Sequence, residues 1–226
     1  MNIITVRAFP TPYQYQENYP VIDGISLPEW LDRYKDEDMK KFGTLSGLCP
    51  AWSEALNFRY DIRFIWTLTD TDERVILPLL VCEDDLDLNC IVFVADVHKD
   101  NNYVYLDRIG RVTHQNEEND STLHRYGILY HESYTDEDWQ KYGSNIALTE
   151  LYSTEWQNWI TENSDEELYR IRMNYTEPYY QKENSVIWLA DVHWQFSRQE
   201  YEKCIDTYRE KVILQYPDLA EYLIKN

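Results

Sequence analysis

Phe58-Arg-Tyr-Asp-Ile-Arg-Phe-Ile-Trp-Thr-Leu68 opens the stretch whose reading decides the fold. Every even position is large and apolar (Phe58, Tyr60, Ile62, Phe64, Trp66, Leu68), whereas Arg59, Asp61, Arg63 and Thr67 fall between them. That period of two is the pattern of a half-buried strand. After a polar break at 69–74 come Val75-Ile-Leu-Pro-Leu-Leu-Val-Cys82, Cys90-Ile-Val-Phe-Val-Ala-Asp-Val-His98 and Tyr103-Val-Tyr-Leu-Asp-Arg-Ile109. Short breaks between apolar runs predict one contiguous antiparallel meander over 58–109. Pro78 cannot donate to a ladder, so 75–82 is either an edge strand or a strand with a bulge.

Outward from the meander the periodicity changes. Residues 3–9 have strand character, 10–23 reads as an extended surface segment, and 43–50 as a turn-rich connector. Ser26 with Glu29 fits a capping box for a short helix. Further on, 123–130 has strand character, Thr135 caps a helix over 136–142, Ser153 precedes a helix over 154–160, and Ser164 with Glu167 caps another through Ile171. Residues 185–193 supply a returning strand. Ser197 opens the longest helix, from about Arg198 to Gln215, with Tyr201, Cys204, Ile205, Tyr208 and Val212 at helical spacing, and this helix should cover one face of the sheet. The predicted class is therefore α+β: a central antiparallel β-meander of about five to seven strands packed against several helices, the long C-terminal helix among them. A single domain spans residues 1–226, and a boundary, if present, falls at 113–121.

Charge bounds the function. Lysine and arginine total 21 against 41 aspartates and glutamates, so the formal net charge is 21 − 41 = −20. A surface of that sign repels nucleic-acid phosphate and anionic membrane, which leaves a basic protein as the complementary partner. With 8 Trp, 20 Tyr and 6 Phe the chain can fill a core without help. The first residues lack a basic start followed by an apolar run, and no segment reaches the roughly 18 apolar residues of a membrane span, so a cytoplasmic location is expected. Cys49, Cys82, Cys90 and Cys204 show no Cys-x-x-Cys spacing. Cys82 and Cys90 read as small hydrophobes of apolar strands, with a bridge across the intervening turn as the alternative.

Two constellations carry chemistry. Ala95-Asp96-Val97-His98 and Ala190-Asp191-Val192-His193 repeat one string at the ends of two strands. Residues i and i+2 share a strand face, so were these strands adjacent and parallel, Asp96, His98, Asp191 and His193 would converge on zinc, manganese or iron. The Gly-Asp and Gly-Asn-His strings that accompany such ligands in metallophosphoesterases are absent, and no cofactor is implied. The second constellation is acidic: Glu83, Asp84, Asp85 and Asp87 in one connection, and Asp136, Glu137 and Asp138 beside Trp139 in another. The first lacks the glycine and terminal glutamate of an EF-hand and reads as a solvated acidic turn. No Gly-x-Ser-x-Gly elbow, His-Glu-x-x-His pair or dinucleotide fingerprint occurs.

Aromatic anchors ringed by carboxylates suit a basic protein surface: the rings provide a dry centre while the charges steer encounter. The first functional expectation is an acidic binding and inhibitor protein that neutralises a basic partner, in the manner of immunity proteins that counter nuclease-like toxins. A nucleic-acid-mimicking inhibitor of a DNA- or RNA-binding enzyme, of the phage counter-defence type, is the second. A metal-dependent hydrolase using the paired Asp-x-His strings is the third.

Overall fold

The computed structural model describes residues 1–10, 16–35, 47–113 and 154–223. The chain divides into two compact units, Met1–Val112 with Val186–Asn226, and Thr113–Ser185. In chain order the first unit holds β1 (Ile4–Pro10), β2 (Gln16–Ile22), β3 (Ile25–Ser26), α1 (Leu27–Arg33), β4 (Leu48–Pro50), α2 (Arg59–Asp70), β5 (Val75–Cys82), β6 (Val92–Lys99) and β7 (Tyr103–Val112). The second contributes α3 (Thr154–Ile171), a π-helical turn (Arg172–Thr176) and α4 (Glu177–Tyr180). The chain then re-enters the first unit as β8 (Val186–Ser197), α5 (Arg198–Gln215) and α6 (Ala220–Leu223). Two antiparallel sheets result, β1-β2-β3 and β4-β5-β6-β7-β8, so the fold is α+β with a meander at its centre.

The expected strand over 58–68 is instead helix α2, and its polar residues explain why. Only Arg59, Arg63, Thr67 and Asp70 retain appreciable exposure within the helix, at spacings of four, four and three, whereas Asp61, Ile65 and Thr69 are buried with the apolar side chains. A stripe of exposure at that spacing belongs to a helix with most of its circumference in the core. Burial of Asp61 and Thr69 is tolerable because each has a partner: Thr69 Oγ1 donates to the Ile65 carbonyl at 2.7 Å, and Asp61 receives the Leu88 N–H. Counting Asp61 as a solvent position is what produced the apparent period of two.

The remaining meander follows the sequence. β5 lies between β4 and β6, although β4 pairs only with Leu80–Cys82, and the β5–β6 register shifts between Pro78 and Leu80, a bulge next to the residue that lacks a donor. Two other expectations change. Residues 16–22, read as a surface segment, form β2, whose Tyr19, Val21 and Ile22 are buried against β1 and β3. Residues 48–50, read as connector, pair with β5 as β4. The signal for the first was present in Asp23-Gly24, both at positive φ, a two-residue hairpin turn that leads β2 back into β3.

Ser197 caps α5 through its hydroxyl, which accepts the Glu200 N–H at 3.4 Å. The apolar face predicted for that helix is the one buried: Tyr201, Cys204, Ile205, Tyr208 and Val212. It lies against β7 and β8 and also against β1. Trp52 meets Tyr201 and Tyr208 edge-on at 6.4 and 5.8 Å, contacts each worth about 0.5–1.5 kcal/mol beyond area burial. Tyr208 then donates to the Asn18 carbonyl at 2.7 Å, which ties α5 to the first sheet.

In the second unit, α3 runs without interruption through the place where Ser164 was expected to start a new helix. No glycine or proline lies between Ile160 and Ser164 to stop it. Glu167 therefore sits inside the helix, buried against Arg170 at 2.7 Å. The expectations over 123–130 and 136–142 lie outside the described residues.

Candidate functional site

The acidic connection between β5 and β6 is held by the helix that precedes it in the chain. The Asn57 N–H donates to the Leu86 carbonyl at 2.9 Å, Asn57 Nδ2 to the Asp85 carbonyl at 2.6 Å, and the Leu88 N–H to buried Asp61 on α2 at 3.3 Å. Within the connection the Leu86 N–H closes on the Cys82 carbonyl, and Asp87 accepts the Asn89 N–H at 2.8 Å. These bonds fix the backbone while Asp84 and Asp85 are exposed and Asp87 is half-buried. Phe58, next in the chain to Asn57, is 38% exposed and stacks on Tyr60 at 5.1 Å. An exposed ring beside fixed carboxylates is the pairing expected of a binding surface for cations. The strand reading of 58–68 concealed Asn57, Phe58 and Asp61 as members of this site.

Glu83 behaves unlike its neighbours. Only 5% exposed, it has no hydrogen-bond partner for either carboxylate oxygen among the described residues. Its field reaches Glu17 on β2, also 5% exposed. Burial pushes the Glu17 carboxyl above its ordinary range, the charges of Glu54 and Glu83 push the same way, and the Asn18 N–H at 2.8 Å and Lys211 oppose them. Glu83 thus belongs to an interior acidic group, and the exposed carboxylates of the connection reduce to Asp84, Asp85 and Asp87.

At the base of the same connection Cys82, Asp85 and Cys90 bring two sulfurs and a carboxylate oxygen within 4.8 Å of one another. Both thiols are free. Burial, with hydrogen bonds to Asp85 and Cys82, pushes the Cys90 thiol up to about 12.

The Asp-x-His strings do not meet. β7 lies between β6 and β8, so the row reads Asp96 on β6, Arg108 on β7, Asp191 on β8. Two strand spacings of about 4.8 Å separate the outer pair, and an arginine occupies the middle. Asp96, 1% exposed, accepts from Arg74 Nε at 2.7 Å and Nη2 at 2.9 Å and from Arg108 Nε at 2.9 Å. Burial alone would raise its carboxyl; the two guanidinium groups overcome that and hold it below the ordinary range. A bulge leaves Asp107 without a register partner, and its carboxylate meets Arg74 at 2.8 Å and His98 Nδ1 at 3.2 Å. His98 stacks on Tyr105 at 4.5 Å, and Arg108 lies 3.9 Å from the Trp188 ring centroid. Asp191 and His193 are exposed on β8, His193 at a positive φ of 48° beside a register shift. Asp96 and His98 thus serve an ion-pair network across the sheet, apart from Asp191 and His193.

Elsewhere, Lys99, Asp70, Tyr201 and Arg209 line a cavity of about 110 Å³, below the roughly 300 Å³ at which sites for organic ligands begin. Asp136, Glu137, Asp138 and Trp139 lie outside the described residues. Among the described residues no helix is long and apolar enough to cross a membrane. The chain matches no protein-family model, no curated protein and no solved structure.

Proposed function

We propose that this chain is an acidic binding protein that neutralises a basic protein partner, and that the connection between β5 and β6 is part of the surface it presents. One observation carries the reading: Asp84 and Asp85 are exposed on a backbone pinned by Asn57 and Asp61, with Phe58 alongside. Fixed carboxylates gain more from a cationic partner than mobile ones, since little further ordering is needed on binding. A formal charge of −20 adds the long-range field that accelerates encounter with a basic surface.

Association kinetics across a salt series test the proposal. The partner to use is a basic protein that co-purifies with the chain, to be identified first by mass, and the variants replace Asp84, Asp85 and Asp87 by Asn. Screening over about 8 Å at 0.15 M salt should slow association while leaving dissociation nearly unchanged, and the Asn variants should reproduce the slowing at low salt. An association rate indifferent to both salt and the replacements would reduce the acidic connection to a solubilising coat.

A further inference from the structure

We infer that Cys82, Asp85 and Cys90 form a binding site for a thiophilic divalent metal, with zinc as the natural occupant. Their three ligand atoms lie within 4.8 Å of one another, close enough that small side-chain shifts bring each to within about 2.0–2.3 Å of a single ion. Two thiolates select against magnesium and calcium, which take oxygen ligands, and favour zinc among the available divalent ions. The carboxylate supplies a third ligand, and a tetrahedral ion keeps its fourth position for water or for a group from a partner.

The protein braces the set before any ion arrives. The Cys82 N–H donates to the Ile91 carbonyl at 3.0 Å, which places the residue after Cys90 across the ladder from Cys82. The Cys82 carbonyl accepts the Leu86 N–H, which closes a turn around Asp85, and Asn57 Nδ2 holds the Asp85 carbonyl at 2.6 Å. Cys90 already donates its thiol hydrogen toward Asp85 and contacts Cys82, so both neighbours face the position an ion would take. Binding would release one proton from each thiol, with no change in oxidation state. The site is separate from the Asp96 and His98 network but shares Asp85 with the proposed partner surface, so uptake is measured with no partner present.

Cobalt(II) is the probe, added to the reduced full-length chain with no partner present. Tetrahedral cobalt bound by thiolate should give intense visible bands and a sulfur-to-metal charge-transfer band at one ion per chain, and zinc should displace it. Cys90→Ser should abolish the bands, and Asp85→Asn should weaken uptake by more than the ~10- to 100-fold that loss of an outer-shell partner costs. His98→Ala should leave uptake unchanged. Circular dichroism of Cys90→Ser, whose site is a half-exposed connection, separates lost binding from lost folding. Absence of thiolate-to-cobalt bands, uptake that survives Cys90→Ser, or conversion of the thiols to a Cys82–Cys90 disulfide with no metal taken up would each overturn the assignment.

Discussion

Asp61 on α2 and Leu88 in the connection between β5 and β6 are joined across the core by a hydrogen bond from the Leu88 N–H to the Asp61 carboxylate, 3.3 Å long and closed to solvent. The contact couples the helix to the acidic connection, because α2 is fixed by packing and the connection has few apolar side chains of its own. Leu88, only 7% exposed, adds the one large apolar anchor between Cys82 and Cys90 that reaches the core.

Replacing Asp61 by Ala should leave the Leu88 N–H buried without its acceptor. That costs about 1–3 kcal/mol, or a fall in melting temperature of about 2–4 °C per kcal/mol for a chain of this size. Urea unfolding measures the loss. Hydrogen exchange at Leu86 and Leu88 should accelerate more than exchange in β7, since the connection loosens before the sheet does.

Glu17 should make the protein more stable in mild acid than at neutrality. Its folded carboxyl titrates above the ordinary glutamate value of about 4.3, so over the interval between the two values the unfolded chain ionises and the folded one does not. The stabilisation is complete below the unfolded value and is lost as pH rises through the folded one. Glu17→Gln keeps an acceptor for the Asn18 N–H and should raise stability at pH 7 by about 0.5–2 kcal/mol, with little effect at pH 4. Denaturant midpoints at the two pH values give the comparison.

For Asp96 the sign reverses. Its depressed carboxyl contributes stability above the ordinary aspartate value of about 3.9, and that contribution is lost as pH falls through the lower folded value. Asp96→Asn should therefore flatten the acid limb of a stability profile. Arg108→Ala, which removes one of two guanidinium partners and the contact with Trp188, should cost about 1–3 kcal/mol at pH 7. Thermal unfolding from about pH 7 down to about pH 3 separates these effects.

Phe58→Ala should act on the complex in a different way from the charge replacements. A ring that packs in the interface is felt in how long partners stay together, so dissociation should quicken by about tenfold, the equivalent of about 1.4 kcal/mol, with association almost unchanged. Unchanged dissociation would place Phe58 outside the contact surface while leaving the acidic connection in play.

Local pattern sufficed for the strands at 75–82, 92–99 and 103–112, for the returning strand, and for α5 with its Ser197 cap. In each, the buried residues are apolar with the exception of Asp96 on β6, and the turn or cap chemistry agrees with them, so short-range preference and long-range packing ask for the same structure. Pro78 announced its bulge for the same reason, since a missing N–H is a property of the residue itself.

The sequence by itself thus determined the α+β class, most of the meander and the acidic character of the chain. Tertiary structure alone decided that 59–70 is helix, because buried Asp61 takes an acceptor role toward the Leu88 N–H, 27 residues away. It also decided that β7 runs between the two Asp-x-His strings, giving Asp96 two arginine partners in place of a metal, and that Asp85 closes with Cys82 and Cys90. Periodicity records which residues can be buried, but the partner that makes a buried polar group tolerable comes from a distant part of the chain, and strand order is set by the packing of the whole sheet.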